Sequence, residues 1–221
     1  ALNLGQGPLD AETLTKIVTD KMEPYAGDPF MLDFNTDNQY SEHVAKLVAW
    51  QRHYTRFWKQ SILYCDVKWP DFVNTRQPDN KGLTGEGEPK FFNAVTGKNI
   101  TFMDGMETGK KIWNLDNAIW TLQGRHRDMV KLAEFIHSVP YVGYGPNAFY
   151  YLPWYEDGKW SYKNVVGRTL DRDKVEDFKT VFYQLEGWDT ATGWPRRSTL
   201  ESMDLGYVAD ELEKKGRLGA A

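Results

Sequence analysis

The chain has 221 residues, with 27 basic and 31 acidic side chains, one cysteine and nine tryptophans. One thiol excludes an internal disulfide and any metal site that this chain would build from two or four cysteines of its own. A net charge of −4 argues against nucleic acid as a partner, because nucleic-acid-binding domains carry a basic excess. No apolar run approaches the ~20 residues of a membrane span, and no charged-then-apolar leader opens the sequence as given. The expectation is a soluble, cytoplasmic chain without a membrane span. Its length suits one domain of ordinary core size or two small ones. Aromatic residues, at 14%, are the compositional oddity.

In chain order, residues 1–38 read as a Gly/Pro-punctuated lead-in with one short helix. Asp10 serves as N-cap, Leu14, Ile17 and Val18 share a face, and Gly27-Asp28-Pro29 marks a turn. The main body is 39–221. From Ser41 to about Cys65, the residues Val44, Leu47, Val48, Tyr54, Phe57, Trp58 and Ile62 recur at helical spacing, with Ser41 as cap. Residues 66–104 carry Pro70, Pro78, Pro89 and several glycines, which predicts a long irregular loop. A second helix is predicted over about Met106–Leu122, with Ile112, Leu115, Ile119 and Leu122 buried and Gly124 as its left-handed stop.

A third helix is predicted from about Arg127 to Ser138, ended by Pro140. Residues 149–162 then change period around Asp157-Gly158, the signature of a small β-hairpin. Asp171 caps a fourth helix that turns Val175, Phe178, Val181, Phe182 and Leu185 inward and stops at Gly187. Ser198-Thr-Leu-Glu201 reads as a capping box, and a last helix covers about Tyr207–Lys215. The fold class is mainly α: a helical, bundle-like domain with one hairpin.

Cys65 is the sharpest chemical feature. A lone cysteine can be a buried thiol that packs as a small hydrophobe. As a nucleophile it would need a histidine, yet His43 and His53 lie 22 and 12 residues upstream. On one helix that is about 33 and 18 Å at ~1.5 Å per residue, too far for activation. A thiolate where a helix meets an irregular loop suits instead a metal cluster whose other ligands lie elsewhere. His126 and His137 stand eleven residues apart, roughly 16 Å on a helix, so they do not share a metal ion; capping or solvated roles are expected. Asn99-Ile-Thr101 is a formal glycosylation triplet that an intracellular chain would not use. No glycine-rich phosphate loop follows a strand. In the aromatic turn 187–195 between two helices, Trp188 is expected to plug the junction, its N–H on a backbone carbonyl, with stacking on a ligand as the alternative.

Taken in order, these segments resemble the C-terminal portion of the tungsten-containing aldehyde ferredoxin oxidoreductase family. Ser61-Ile-Leu-Tyr-Cys65 resembles its Asp-x-x-Gly-Leu-Cys segment, and Asn93-Ala-Val-Thr-Gly97 its Ala-x-Thr-Gly loop. Gly109-Lys-Lys-Ile-Trp-Asn-Leu115 with Gly124-Arg-His-Arg-Asp128 resembles a Gly-x-Arg-Ile-x-Asn-Leu … Gly-x-x-Arg-x-Asp signature. Phe182-Tyr183, Glu186-Gly-Trp-Asp189, Gly193-Trp-Pro195 and Leu200 through Gly206 resemble the family's closing motif. The resemblance covers residues 41–221.

The resemblance implies an oxidoreductase in which tungsten, or molybdenum, is held by two pyranopterins and a [4Fe-4S] cluster passes electrons to ferredoxin or an electron-transfer subunit. The reaction implied is oxidation of an aldehyde, the small-molecule substrate, to a carboxylic acid. Cys65 would be one cluster ligand, and Gln60 and Leu63 would lie in the pterin neighbourhood. Two departures fall there: Gln60 stands where the family has aspartate, and Leu63 where it has glycine. The family's other cluster cysteines and its pterin-binding portion have no counterpart here, so this chain is expected to be a single helical C-terminal domain, inactive alone, that joins an N-terminal pterin-binding portion or subunit. A branch of the family that reduces the ring of benzoyl-CoA also has an ending like Leu205-Gly-Tyr-Val-Ala-Asp210. The alternative outside the family is a non-redox, aromatic-rich binding or structural module.

Overall fold

The computed structural model describes residues 9–62, 69–142 and 151–221. Helix α1 (Ala11–Thr19) starts where Asp10 accepts from the Thr13 N–H at 2.8 Å. The helix buries Leu14 and Val18, and its inward threonines satisfy themselves, Thr15 and Thr19 donating to carbonyls one turn back. Helix α2 (Glu42–Tyr54) is capped by Ser41. It runs through a π-helical turn at Thr55–Lys59 into α3 (Gln60–Ile62), so the helix expected from Ser41 is continuous as far as residue 62.

The 66–104 stretch is not irregular throughout: α4 (Gly87–Thr96) lies inside it. The prolines and glycines that argued against a helix stand at its ends. Pro89 is in the first turn, where a missing N–H costs no helical bond, and Gly97 takes the left-handed C-terminal position with φ 69°. Helix α5 (Phe102–Leu122) begins earlier than expected because Thr101 and Asp104 form a reciprocal capping box. Its buried face also differs from the expected one. Ile119 and Leu122 are exposed, while Trp113, Asn114, Asn117 and Thr121 are buried. Neighbours with polar partners, rather than hydrophobicity alone, choose the face.

The helix expected over 127–138 does not form. A single 3-10 turn (Arg127–Met129) and one short turn, α6 (Phe135–Ser138), replace it. Arg127 is pulled sideways: its backbone N–H donates to Thr192 O at 2.8 Å and its guanidinium to Thr190 O at 2.7 Å. Tertiary ties of this kind override local helical preference.

Strands β1 (Tyr151–Glu156) and β2 (Lys159–Asn164) form the hairpin around Asp157 and Gly158, both at positive φ. The hairpin docks on the lead-in, where Asp33 accepts from the Tyr155 N–H at 2.9 Å. Helix α7 (Arg172–Glu186) has Asp171 as cap and Gly187 as stop. Its expected apolar row is only half-buried; Tyr183 and Glu186 are its buried residues. Helix α8 (Arg197–Glu201) starts after Arg196 rather than at Ser198 and has no side-chain cap, because a bridge to Gly219 holds Arg196 extended. Helix α9 (Gly206–Lys214) follows.

Three apolar clusters result. The largest joins α1, α2 and the start of α5 around Leu14, Met22, Trp50, Tyr54, Trp58 and Phe72. A second joins α5, α8 and α9 through Ala118, Leu200 and Leu212, and a third is aromatic, formed by Trp113, Tyr183 and Trp188. Among the described residues no helix is long and apolar enough to cross a membrane.

Helices α2 and α5 meet at two glycines. A Cβ on Gly109 would stand 1.9 Å from His53 O, and one on Gly105 would stand 2.2 Å from the Trp58 ring. Backbone cannot retreat as a side-chain tip can. Gly109→Ala is therefore expected to cost about 3 kcal/mol of stability, read as a lowered urea midpoint; an unchanged midpoint would mean that the two helices part freely.

Candidate functional site

The segment singled out by sequence begins on α3. Gln60 is exposed on α3, and Leu63 and Cys65 lie outside the described residues. What the structure shows is how that helix is held. Trp58 is fully buried, stacks on Phe102 at 5.8 Å with rings nearly parallel, and donates its indole N–H to Phe102 O at 3.1 Å. One turn earlier, Tyr54 stacks on Trp50 and donates to Glu88 at 2.7 Å.

Glu88 is a buried hub. Its Oε1 accepts from the Tyr54 hydroxyl and from Trp69 Nε1, and its Oε2 accepts from the Gly85 N–H. Burial pushes its pKa up, and the three donors only partly offset that. The carboxylate thus ties α2, α4 and the 69–85 segment together beside the Gln60 end.

His53 and Glu186 form the second tie. The imidazole Nε2 lies 3.1 Å from Glu186 Oε1, with both side chains almost wholly buried. Residues 133 apart in sequence join α2 to the end of α7. Beside them the Tyr25 phenol is pushed up to about 12, first by burial and then by the Glu186 charge. Periodicity placed His53 on a helix, but no local signal names a partner so far along the chain.

The remaining histidines are dispersed. His43 lies 2.8 Å from Asp28, His137 Nδ1 meets Leu170 O at 2.8 Å, and His126 caps the turn that begins at Arg127. Among the described residues no group of three or more His, Cys, Asp or Glu side chains could hold a metal ion.

The other motif residues build the corner where α5 meets α7. Trp188, almost wholly buried, does not reach a backbone carbonyl as expected; it donates to Asn114 Oδ1 at 2.8 Å. Asn114 can do this because the amide faces inward on α5 and spends its own N–H on Lys110 O. Arg127 stands over the Tyr183 ring and donates to Thr180 and Thr190. Asp189 accepts from the N–H groups of Ala191, Thr192 and Ala220. Burial works to raise its pKa, but those donors outweigh it and hold the carboxyl below its ordinary value. Asn93 likewise pairs both ways with the Ile100 backbone behind the Gly97 turn.

Two predictions follow from these networks. Because the Glu88 pKa is raised on folding, its protonated form stabilises the fold below the ordinary value of 4.5, and that contribution is lost as pH rises through the folded pKa. Glu88→Gln should flatten this fall in urea midpoints measured from acid to neutrality; parallel curves would show that Glu88 titrates as in the unfolded chain. Asn114→Ala strands the Trp188 N–H and should cost about 1–3 kcal/mol. Adding Trp188→Phe should then cost less than it does alone in wild type.

The family described as aldehyde ferredoxin oxidoreductase, domains 2 and 3, matches residues 10–205. The match reaches back from the residue-41 boundary of the motif resemblance to take in α1 and the lead-in. This chain belongs to that family and is an oxidoreductase domain of the aldehyde ferredoxin oxidoreductase type.

Proposed function

We propose that the chain supplies the helical part of a tungsten–bispterin, iron–sulfur enzyme that oxidises an aldehyde to a carboxylic acid and passes the electrons to ferredoxin. The family match across residues 10–205 carries this reading. A cysteine three residues beyond Ile62, the last described residue of α3, supports it.

The residues present fit such a group in one defined way. A [4Fe-4S] cluster takes four thiolates, and this chain has one cysteine. Cys65 would therefore hold one iron, the other ligands coming from the pterin-binding portion with which this domain would assemble. Gln60 is exposed on α3. A neutral amide there would donate and accept hydrogen bonds to a pterin without adding charge, and Leu63 is a bulkier residue type than the family's glycine. Helix α4 packs on α3 at the same end and leaves Val95 82% exposed, an apolar rim for the remaining portion to cover.

When bound, the metal and its pterins supply two-electron redox chemistry and the cluster one-electron transfer. An aldehyde and water give the acid, two electrons and two protons. This chain's share is to hold the helix that carries Gln60 in place through the Trp58 and Glu88 anchors.

The test is Cys65→Ser in the assembled holoenzyme, with Cys65→Ala beside it. Iron content is expected to fall and the EPR signal of the reduced cluster to disappear or change type, with aldehyde oxidation lost. Full iron content and an unchanged signal in both variants would overturn the reading.

A further inference from the structure

A cavity of about 610 Å³ opens between α2 and α7, well away from the Gln60 end. Val48, Trp113, Phe178 and Phe182 give it an apolar, largely aromatic wall, and Arg52 and Arg125 stand among the charged residues of its lining. That volume matches a small organic ligand. Arg52 precedes Gln60 by eight residues, about 12 Å along the helix, so Arg52 and Gln60 stand at different points of that helix.

The charges on its lining are unevenly matched. Lys179 lies 2.7 Å from Glu176, and Arg172 lies 2.5 Å from Glu134. Lys131 is exposed to water. Arg52 and Arg125 have no carboxylate within ion-pair distance among the described residues. Arg52 stands over the Trp113 ring at 5.6 Å and Arg125 over Trp120 at 5.0 Å. The Arg125 guanidinium donates to a neutral acceptor, Asn117 Oδ1, at 3.1 Å. Burial lowers the Arg125 pKa, and the repulsion of nearby Arg52 lowers it further. Of the carboxylates on the lining, Glu176 is occupied by Lys179 and Arg127. Asp173 sits ten residues before Tyr183 on α7, about 15 Å away along the axis.

Arg52 and Arg125 line the same cavity and lie over Trp113 and Trp120, two rings 5.7 Å apart, so together they form an anion site whose counter-charge is supplied from outside. Planar guanidinium groups favour carboxylates, and the adjoining wall favours a ring. We infer that this cavity binds a small organic acid with an apolar, aromatic body, its carboxylate between Arg52 and Arg125 and its ring against Trp113 and Phe182. The inference does not rest on the redox reading, since no residue of the Gln60–Cys65 segment takes part.

The test is titration calorimetry of the full chain with 3-phenylpropionate, set against 3-phenylpropan-1-ol for the ring without charge and acetate for charge without the ring. One-to-one saturable binding of the acid is expected, with both comparison compounds at least about tenfold weaker. Arg52→Gln, on an exposed side chain, and Arg125→Gln should each weaken the acid about tenfold. Val48→Trp, which fills the cavity, should abolish binding. No saturable heat up to about 10 mM would overturn the site, and so would unchanged affinity in Arg52→Gln. Equal affinity for the alcohol would overturn the carboxylate assignment. If Arg125→Gln loses its helical circular dichroism, Arg52→Gln and Val48→Trp decide.

Discussion

Helices α2 and α5 touch backbone to side chain and backbone to backbone at Gly105 and Gly109, with no Cβ between them. This close crossing sets the position of almost everything else. It brings Trp58 over the start of α5, where its N–H finds Phe102 O. It also places His53 deep enough to meet Glu186 on α7. A wider crossing would leave Trp58 without its acceptor and His53 within reach of water. The π-helical turn at Thr55–Lys59 lies on the same stretch of helix, and local irregularities of that type often mark functional positions.

Around this crossing, buried polar groups decide which elements sit where. Glu88 has three donors, Asn114 holds the Trp188 indole, and Asp189 gathers three backbone N–H groups. Each would be costly to bury alone and is tolerated because it is partnered. The His53–Glu186 pair is weak evidence for stability as such. Its geometric effect is clear, since breaking either partner would leave a buried polar group at the junction of two helices. The motif residues shared with the family have physical explanations of this kind. Gly109 permits the helix crossing, Asn114 and Asp189 satisfy buried groups, and Gly97 ends a helix. The two departures, Gln60 and Leu63, stand three residues apart in sequence.

Much of the fold was legible locally. Asp10, Ser41 and Asp171 cap the helices they were expected to cap, Gly187 stops α7, and Asp157-Gly158 turns the hairpin. The errors share a cause. Over 127–138 a helix ended by Pro140 was expected, yet Arg127 bonds to residues more than fifty positions away. On α5 the apolar residues suggested one face, yet Asn114 and Asn117 are buried because Trp188 and Gly193 O await them. In 66–104 the composition was read correctly but its placement was not, because prolines and glycines at helix ends permit what they forbid inside.

By itself the sequence determined the mainly helical class, the caps and turns, the family and the single thiol, because these depend on residues a few positions apart or on recurring motifs. Only the tertiary structure decided which face of α5 is buried, that His53 answers Glu186, that Glu88 anchors three segments, and that Arg52 and Arg125 share one aromatic cavity. Each of those depends on backbone approach between distant segments and on polar groups that must find partners once water is excluded. Helical periodicity carries no record of either.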